Sequence, residues 1–167
     1  MAPTSVTRTP VMADRPLPDD CELIVPVEQV AQALGRELPK PTEIIGIAEP
    51  SIARTGKIDC YHGIPAGKPL SDALLVIGVS TYADDVSAQQ RVTESVEAER
   101  QAGAAVADVP VAKQRGTLLT SPQELLLIGS IGKSTFVVRA RADLLPAEQL
   151  GQVLTGFAVQ SMTQPIS

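Results

Sequence analysis

The sequence predicts an α+β domain: a mostly antiparallel sheet with helices packed on it, in the order α-β-β-α-β-β-β-α. Three observations predict it. Strand-like runs at 115–121, 124–130 and 134–142 follow one another at hairpin spacing, which gives an antiparallel meander. Helical periods stand apart from them, near 26–35, 84–103 and 146–162, so elements are grouped and do not alternate strand by helix. Hydrophobic residues make up 44% of the 167 positions while aromatic residues make up 2%, with no Trp. That length buries one core without staples, and the core has to be aliphatic.

Taken in order, residues 1–20 carry four Pro, several Thr and Ser and no sustained period. They read as a flexible Pro/Thr-rich linker ahead of a single α+β domain at 21–167. Val27, Val30, Ala31 and Leu34 repeat as i, i+3, i+4, i+7, with Pro26 suited to the first turn and Gly35 to the C-cap, so a short amphipathic helix is expected. Pro39 and Pro41 forbid helix, and 44–47 can form only a short strand. Residues 57–64 read as a strand and 70–82 as a longer one. In the latter Leu74, Val76 and Gly78 take one face and Leu75, Ile77 and Val79 the other, which suits a central strand covered on both sides.

Asp84 or Asp85 can cap the next helix, whose Ala88, Val92 and Val96 form a thin apolar stripe below an acidic solvent face. The closing helix, opened by Pro146, has the best apolar face of the chain: Leu150, Val153, Leu154, Phe157, Ala158 and Met162.

The stretch 125–141, LLLIGSIGKSTFVVRAR, decides between two kinds of protein. A phosphate-binding loop needs four residues between its first Gly and the Gly-Lys-Ser/Thr, so that backbone N–H groups can wrap the phosphates ahead of a helix. Here only Ser130 and Ile131 separate Gly129 from Gly132. Residues 135–142 then alternate as a strand, with Phe136, Val138, Ala140 and Ala142 on one side and Arg139 and Arg141 on the other. Residues 129–133 therefore read as a hairpin turn.

The net charge of −5 and pI near 4.9 disfavour nucleic acid and anionic membrane surfaces. No apolar run approaches the length of a membrane span, and the first 20 residues lack the apolar core of a signal peptide. The chain is then either cytosolic or an exported protein whose export segment lies elsewhere, with membrane attachment only through a missing N-terminal anchor. Cys21 and Cys60 are compatible with one disulfide or with two buried thiols. The place of Cys21, where the linker gives way to patterned sequence, favours the disulfide. No cofactor is expected, and two distant Cys with one His do not make a metal site.

A Cys opening an aliphatic helix that ends in Gly (Cys21, Glu22 and Leu23 through Ala33, Leu34 and Gly35), a second Cys in a strand at Cys60, then strand, helix, meander and closing helix resembles the DUF3558-type lipoproteins and related sensor-like envelope domains of actinobacteria. Nine Arg against five Lys and the lack of any Asn agree with a GC-rich source. The resemblance implies a Cys21–Cys60 disulfide, a lipid anchor ahead of a Ser/Thr/Pro linker, an extracytoplasmic (cell-envelope or secreted) location and no established catalytic chemistry. The family places a Trp two residues after the second Cys, where this chain has His62.

The leading reading is a non-enzymatic extracytoplasmic domain that binds a small apolar ligand or another envelope protein in a groove between helices and sheet. Its candidate binding residues are Arg139 and Arg141, which could grip a carboxylate or phosphate as a pair, Lys133 at the hairpin tip, whose turn amides could cradle an anion, and His62. Competing readings are a thiol hydrolase using Cys60 with His62 on one strand face, a nucleotide site at 129–134, and a cytosolic interaction module with both Cys reduced. In each case the structural alternative is a disulfide-bonded Cys beside a sheet-edge His, a solvated hairpin Lys, and Arg paired with cross-strand acids.

Overall fold

The computed structural model describes residues 12–163. Its element order is α1 (Val27–Leu34), β1 (Thr42–Gly46), β2 (Arg54–His62), β3 (Leu75–Tyr82), α2 (Asp85–Gln101), β4 (Ala105–Val111), β5 (Gln114–Thr120), β6 (Glu124–Ile131), β7 (Ser134–Arg141) and α3 (Ala147–Ser161), with single turns of 3-10 helix at Cys21–Leu23, Pro50–Ile52 and Leu70–Asp72. The seven strands form one sheet in the order β1-β2-β3-β7-β6-β5-β4, every pairing antiparallel. The α+β class and the meander are therefore present. Two strands extend the expected order: β1, which precedes β2, and β4, which opens the meander.

Both are edge strands, and each hides its period for a different reason. β4 reads AVADVPV, is exposed along most of its length and contains Pro110, a residue that edges tolerate because no N–H is needed on the solvent side. β1 has only five residues, and Ile45 and the nearby Ile47 are 57% and 86% exposed. The run 70–82 also divides. Its first part is a 3-10 turn, and β3 starts at Leu75 because Leu70 to Asp72 follow Pro69 in a tight turn.

Alternation along the strands gives the sheet two faces. The inner face carries Ile58, Cys60, Leu75, Ile77, Val79, Leu125, Leu127, Phe136, Val138 and Ala140, all buried with Val30 and Leu34 of α1 and Leu150, Leu154, Phe157 and Ala158 of α3. On the outer face a smaller cluster, Leu119, Leu126 and Ile128 with Val137, packs under Val92 and Val96 of α2. α1 ends on Gly35 at φ 68°, its N–H bonded back to Ala31 and Gln32, the left-handed cap expected of that glycine. Asp84 caps α2 by accepting from the Ser87 N–H.

Cys21 and Cys60 form a disulfide with Cα atoms 5.8 Å apart. It fastens the first 3-10 turn to the C-terminal part of β2, and the Cys21 N–H donates to the Glu43 carboxylate on β1 at 2.7 Å. Of the expected linker at 1–20, residues 1–11 lie outside the described residues, whereas 12–20 run against the domain. Met12 is buried, the Ala13 N–H donates to the Met162 carbonyl, and the Arg15 guanidinium donates to the Leu23, Ser161 and Thr163 carbonyls. Arg15 thereby satisfies carbonyls at the end of α3 that have no helical partner and meets the negative end of its dipole.

The disulfide spans 39 residues, so removing it restores chain entropy worth about 4 kcal/mol to the unfolded state. A Cys21→Ala/Cys60→Ala protein is expected to melt roughly 8–16 °C below the parent. Calorimetry on the two proteins checks this, and equal melting temperatures would mean that the tie is thermodynamically idle.

Candidate functional site

The chain passes from β3 to β4 through α2, which lies over β5, β6 and β7 and reaches the outer face of β3. Among the described residues no helix covers the outer face of β1 and β2. The uncovered half of the sheet meets the flank of α2 in a groove made of two cavities that share Tyr61, Val76 and Arg139. One, about 490 Å³, lies under the 3-10 turn at Leu70–Asp72 and is also lined by Leu74, Gln123, Glu124 and Arg141. The other, about 350 Å³, lies beside α2 over β2, β3 and β7. Its apolar floor is Val76, Ile128 and Val137, and its polar groups include Arg54, Lys57, Asp59, Tyr82, Arg91 and Thr135. The chain has only two Tyr, and both line this second cavity. Volumes and mixed lining of this kind suit small-molecule sites.

Glycine shapes the floor. A Cβ on Gly78, at the centre of β3, would collide with the Asp59 carboxylate, so the missing side chain lets Asp59 lie flat across the sheet, where it pairs with Lys57 at 3.2 Å. Tyr82 is nearly fully buried. Burial pushes its phenol up, against opposing hydrogen bonds from Thr135 and Arg91 and the charges of Arg91 and Arg54, so it is a neutral donor and acceptor at neutral pH.

The groove gathers two of the sequence-predicted binding residues and leaves two outside. Arg139 and Arg141 are exposed on the outer face of β7 and both line the larger cavity. One cross-strand acid and one acid of α2 pair with the first of them. Arg139 lies 3.4 Å from Glu124 and 3.7 Å from Glu99. Glu124 sits opposite Arg141 in the strand register, yet its carboxylate goes to Arg139.

Lys133 lies elsewhere, in the two-residue turn between β6 and β7, and that turn already holds an anion of its own chain. The Asp14 carboxylate accepts from the Lys133 N–H at 2.8 Å and from the Ser134 hydroxyl at 2.6 Å. Gly132 adopts φ 55°, and a Cβ there would strike Asp14. Gly129 serves another purpose: a Cβ on it would run into the ring of Phe136, its partner across the hairpin. The two glycines of the GSIGKS stretch thus make room for a carboxylate and for a ring, and the stretch is a hairpin that leads into strand β7.

His62, expected at a sheet edge, is fully buried at the end of β2, on the inner face with Ile58 and Cys60, and neither ring nitrogen has a hydrogen-bond partner. Burial alone depresses its pKa to about 4. It cannot serve as a groove ligand, and Cys60 beside it is held in the disulfide, so this pair offers no thiolate for nucleophilic attack. The strand alternation Gly56, Ile58, Cys60, His62 carried the signal for this burial. Arg54, Tyr61, Tyr82 and Arg91 had no sequence signal, because β2, β3 and α2 come together only in the fold.

Among the described residues no group of three or more His, Cys, Asp or Glu is placed to hold a metal ion, and no helix is long and apolar enough to cross a membrane. No protein-family model matches the chain, and no characterised relative matches it. Among solved structures the fold is similar to that of the extracellular domain of PknH from Mycobacterium tuberculosis, at 11% identity and a TM-score of 0.52, over 88% of this chain and 97% of that one. At that identity the likeness is one of fold.

Two outcomes are expected. His62 is neutral when buried and binds a proton in the unfolded chain from pH 6.5 downward, so its folded pKa near 4 leaves stability whole above pH 6.5 and erodes it as pH falls toward 4. Between pH 7 and 4.5 this amounts to about 2.5 kcal/mol. Urea unfolding of the parent and of His62→Phe should diverge in pH slope by that amount, and parallel slopes would show that the imidazole titrates alike in both states. For Asp14 burial raises the carboxyl pKa, but hydrogen bonds from Ser134, Lys133 and Arg15 and the Lys133 charge outweigh it and hold the group low. The contact is therefore intact above the ordinary carboxylate range and lost as pH falls through its lowered value. Asp14→Ala should speed hydrogen exchange at the Lys133 amide at neutral pH, and unchanged exchange would mean that the turn holds without the carboxylate.

Proposed function

We propose that the protein is an extracytoplasmic envelope domain, of the DUF3558-like type and without catalytic chemistry, that binds a small ligand in the groove between α2 and the uncovered half of the sheet. The observation that carries the binding reading is that groove: two adjoining cavities whose shared wall is Tyr61, Val76 and Arg139. A sheet face left open in the middle of a folded domain exposes apolar floor that packing would otherwise cover. The buried Cys21–Cys60 disulfide supports an oxidising compartment, and a fold similar to an extracellular domain agrees with it. A bound partner protein could use the same groove by inserting a side chain. The volume of the part beside α2, about 350 Å³, is in the range of small-molecule sites and favours a small molecule.

The test has two arms. Protein purified from its native host without reductant should gain the mass of two hydrogen atoms on reduction, and free thiols before reduction would overturn the extracytoplasmic reading. A melting-point screen over nucleotides, lipids and wall fragments should find a compound that raises the melting temperature by roughly 5–10 °C at about 100 times its Kd. Val76→Trp fills the shared wall of the groove and should abolish that shift while leaving the unliganded melting point within a few degrees. A compound that shifts both proteins equally binds elsewhere and removes the groove from the account.

A further inference from the structure

The cavity beside α2 has an electrical direction. Four cationic side chains line it, Arg54, Lys57, Arg91 and Arg139, against one acid, Asp59, in a chain whose net charge is −5. Each cation has an acidic neighbour: Glu49 for Arg54, Asp59 for Lys57, Glu94 for Arg91, and Glu99 and Glu124 for Arg139. Apart from Asp59, none of these acids lines the cavity. The Glu49 and Glu94 side chains are about half exposed, whereas Arg54 is only 15% exposed. Cations therefore outnumber acids on the cavity wall, and only Arg54 among the paired arginines is largely buried, Arg91 and Arg139 being nearly half exposed. The pairs at Arg91 and Arg139 are also long, 3.4 to 3.8 Å, beyond the distance of a good charge-assisted hydrogen bond, and exposed pairs of that kind contribute little.

Arg54 and Tyr82 bring polar groups to the same place. The Arg54 Nε is buried without a hydrogen-bond partner, and a buried unpaired donor on a charged group is costly enough to call for one. Tyr82, whose main chain lies opposite Arg54 in the β2–β3 register, brings a neutral phenol to the same cavity, with Thr135 and Ser80 beside it. Below them lies the apolar floor of Val76, Ile128 and Val137, continuous through Tyr61 with the larger cavity.

We propose that this cavity binds the carboxylate or phosphate group of an amphipathic anion, with Arg54, Arg91 and Arg139 around the charge and the apolar remainder lying across Val76 and Tyr61 toward the larger cavity. This rests on the groove reading above and narrows it: the ligand expected from sequence to be apolar is instead apolar at one end only. The site lies between α2 and the sheet, and the contact from the largely buried Arg54 is strengthened by the lower local dielectric, whereas those from the half-exposed Arg91 and Arg139 are screened by solvent.

The probes are octyl phosphate, octanoate, inorganic phosphate, octyl glucoside and octyltrimethylammonium, each titrated by calorimetry below its micelle concentration, and vesicles containing phosphatidylglycerol. Octyl phosphate and octanoate should bind, with affinity falling as salt rises, and the neutral and cationic octyl compounds should bind at least about tenfold more weakly. Arg54→Gln and Arg91→Gln should each weaken octyl phosphate at least about tenfold, while Arg36→Gln, on the exposed loop after α1, should not. Arg91 is on the surface of α2, so its variant reports even where Arg54→Gln unfolds, which circular dichroism will show. Inorganic phosphate binding as tightly as octyl phosphate would overturn the amphipathic ligand and make it a free anion. Tighter binding to the vesicles than to octyl phosphate, lost in Arg91→Gln, would place the source in a lipid headgroup and support the site. Equal binding of all three octyl compounds, abolished by Val76→Trp, would overturn the anion site yet leave the groove standing. No binding of any anion would overturn it outright.

Discussion

One strand pairing holds this molecule together. Every other contact in the sheet joins strands adjacent in sequence: β1 with β2, β2 with β3, and the meander from β4 to β7. Only β3 with β7 brings distant segments side by side, from Leu75 opposite Ala140 to Thr81 opposite Ser134. Its inner side is Leu75, Ile77 and Val79 against Phe136, Val138 and Ala140, all essentially without exposure, which gives the two halves of the chain a common core. Closing such a distant contact is the entropically demanding step, and dense aliphatic packing on one face offsets it.

That pairing also dictates where the groove lies. With β7 beside β3, β4 must sit four strand spacings away, about 19 Å at the usual interstrand distance. The connection from β3 has to cross that width on one face. α2, with 17 residues, reaches about 25 Å, enough to make the crossing in one piece. A helix so placed covers the meander and leaves the outer face of β1 and β2 uncovered. The groove lies along the line between covered and uncovered sheet, and its lining comes from both sides of the β3–β7 seam: Tyr61, Val76 and Tyr82 on one, Thr135, Val137 and Arg139 on the other.

The sequence made legible what depends on local period. α1 with its Gly35 cap, α3, the last three meander strands and the hairpin between the final two were readable, because apolar spacing and turn chemistry are local, although the turn read at 129–133 is only Gly132 and Lys133, with 129–131 belonging to β6. Two kinds of information were not local. Edge strands bury little, so the exposed TEIIG of β1 and the Pro-containing AVADVPV of β4 carry weak alternation. Contacts set by topology were equally hidden. Asp14 meets Lys133 across 119 positions, and Arg54, Arg91 and Arg139 line one cavity from three separate elements. His62 is the instructive case between these. Its position in the alternation of β2 marked it as inward-facing, while its polar chemistry suggested an edge, and position decided its burial.

The disulfide and the groove are linked by the same topology. Strands β1 and β2 carry no apolar cluster on their outer face like the one that α2 covers over the meander. Tyr61 on β2 is already partly buried, so covering the rest of it would contribute only part of the ~1.5–3 kcal/mol of a full burial. The loop closed by Cys21 and Cys60 removes unfolded-state entropy worth about 4 kcal/mol, more than such a side chain would. Its attachment point is Cys60, near the C-terminal end of β2 on the inner face, opposite the uncovered side. A covalent tie on the inner face therefore fastens the half of the sheet that α2 leaves uncovered, and the edge made by β1 and β2 is held from the side opposite the groove.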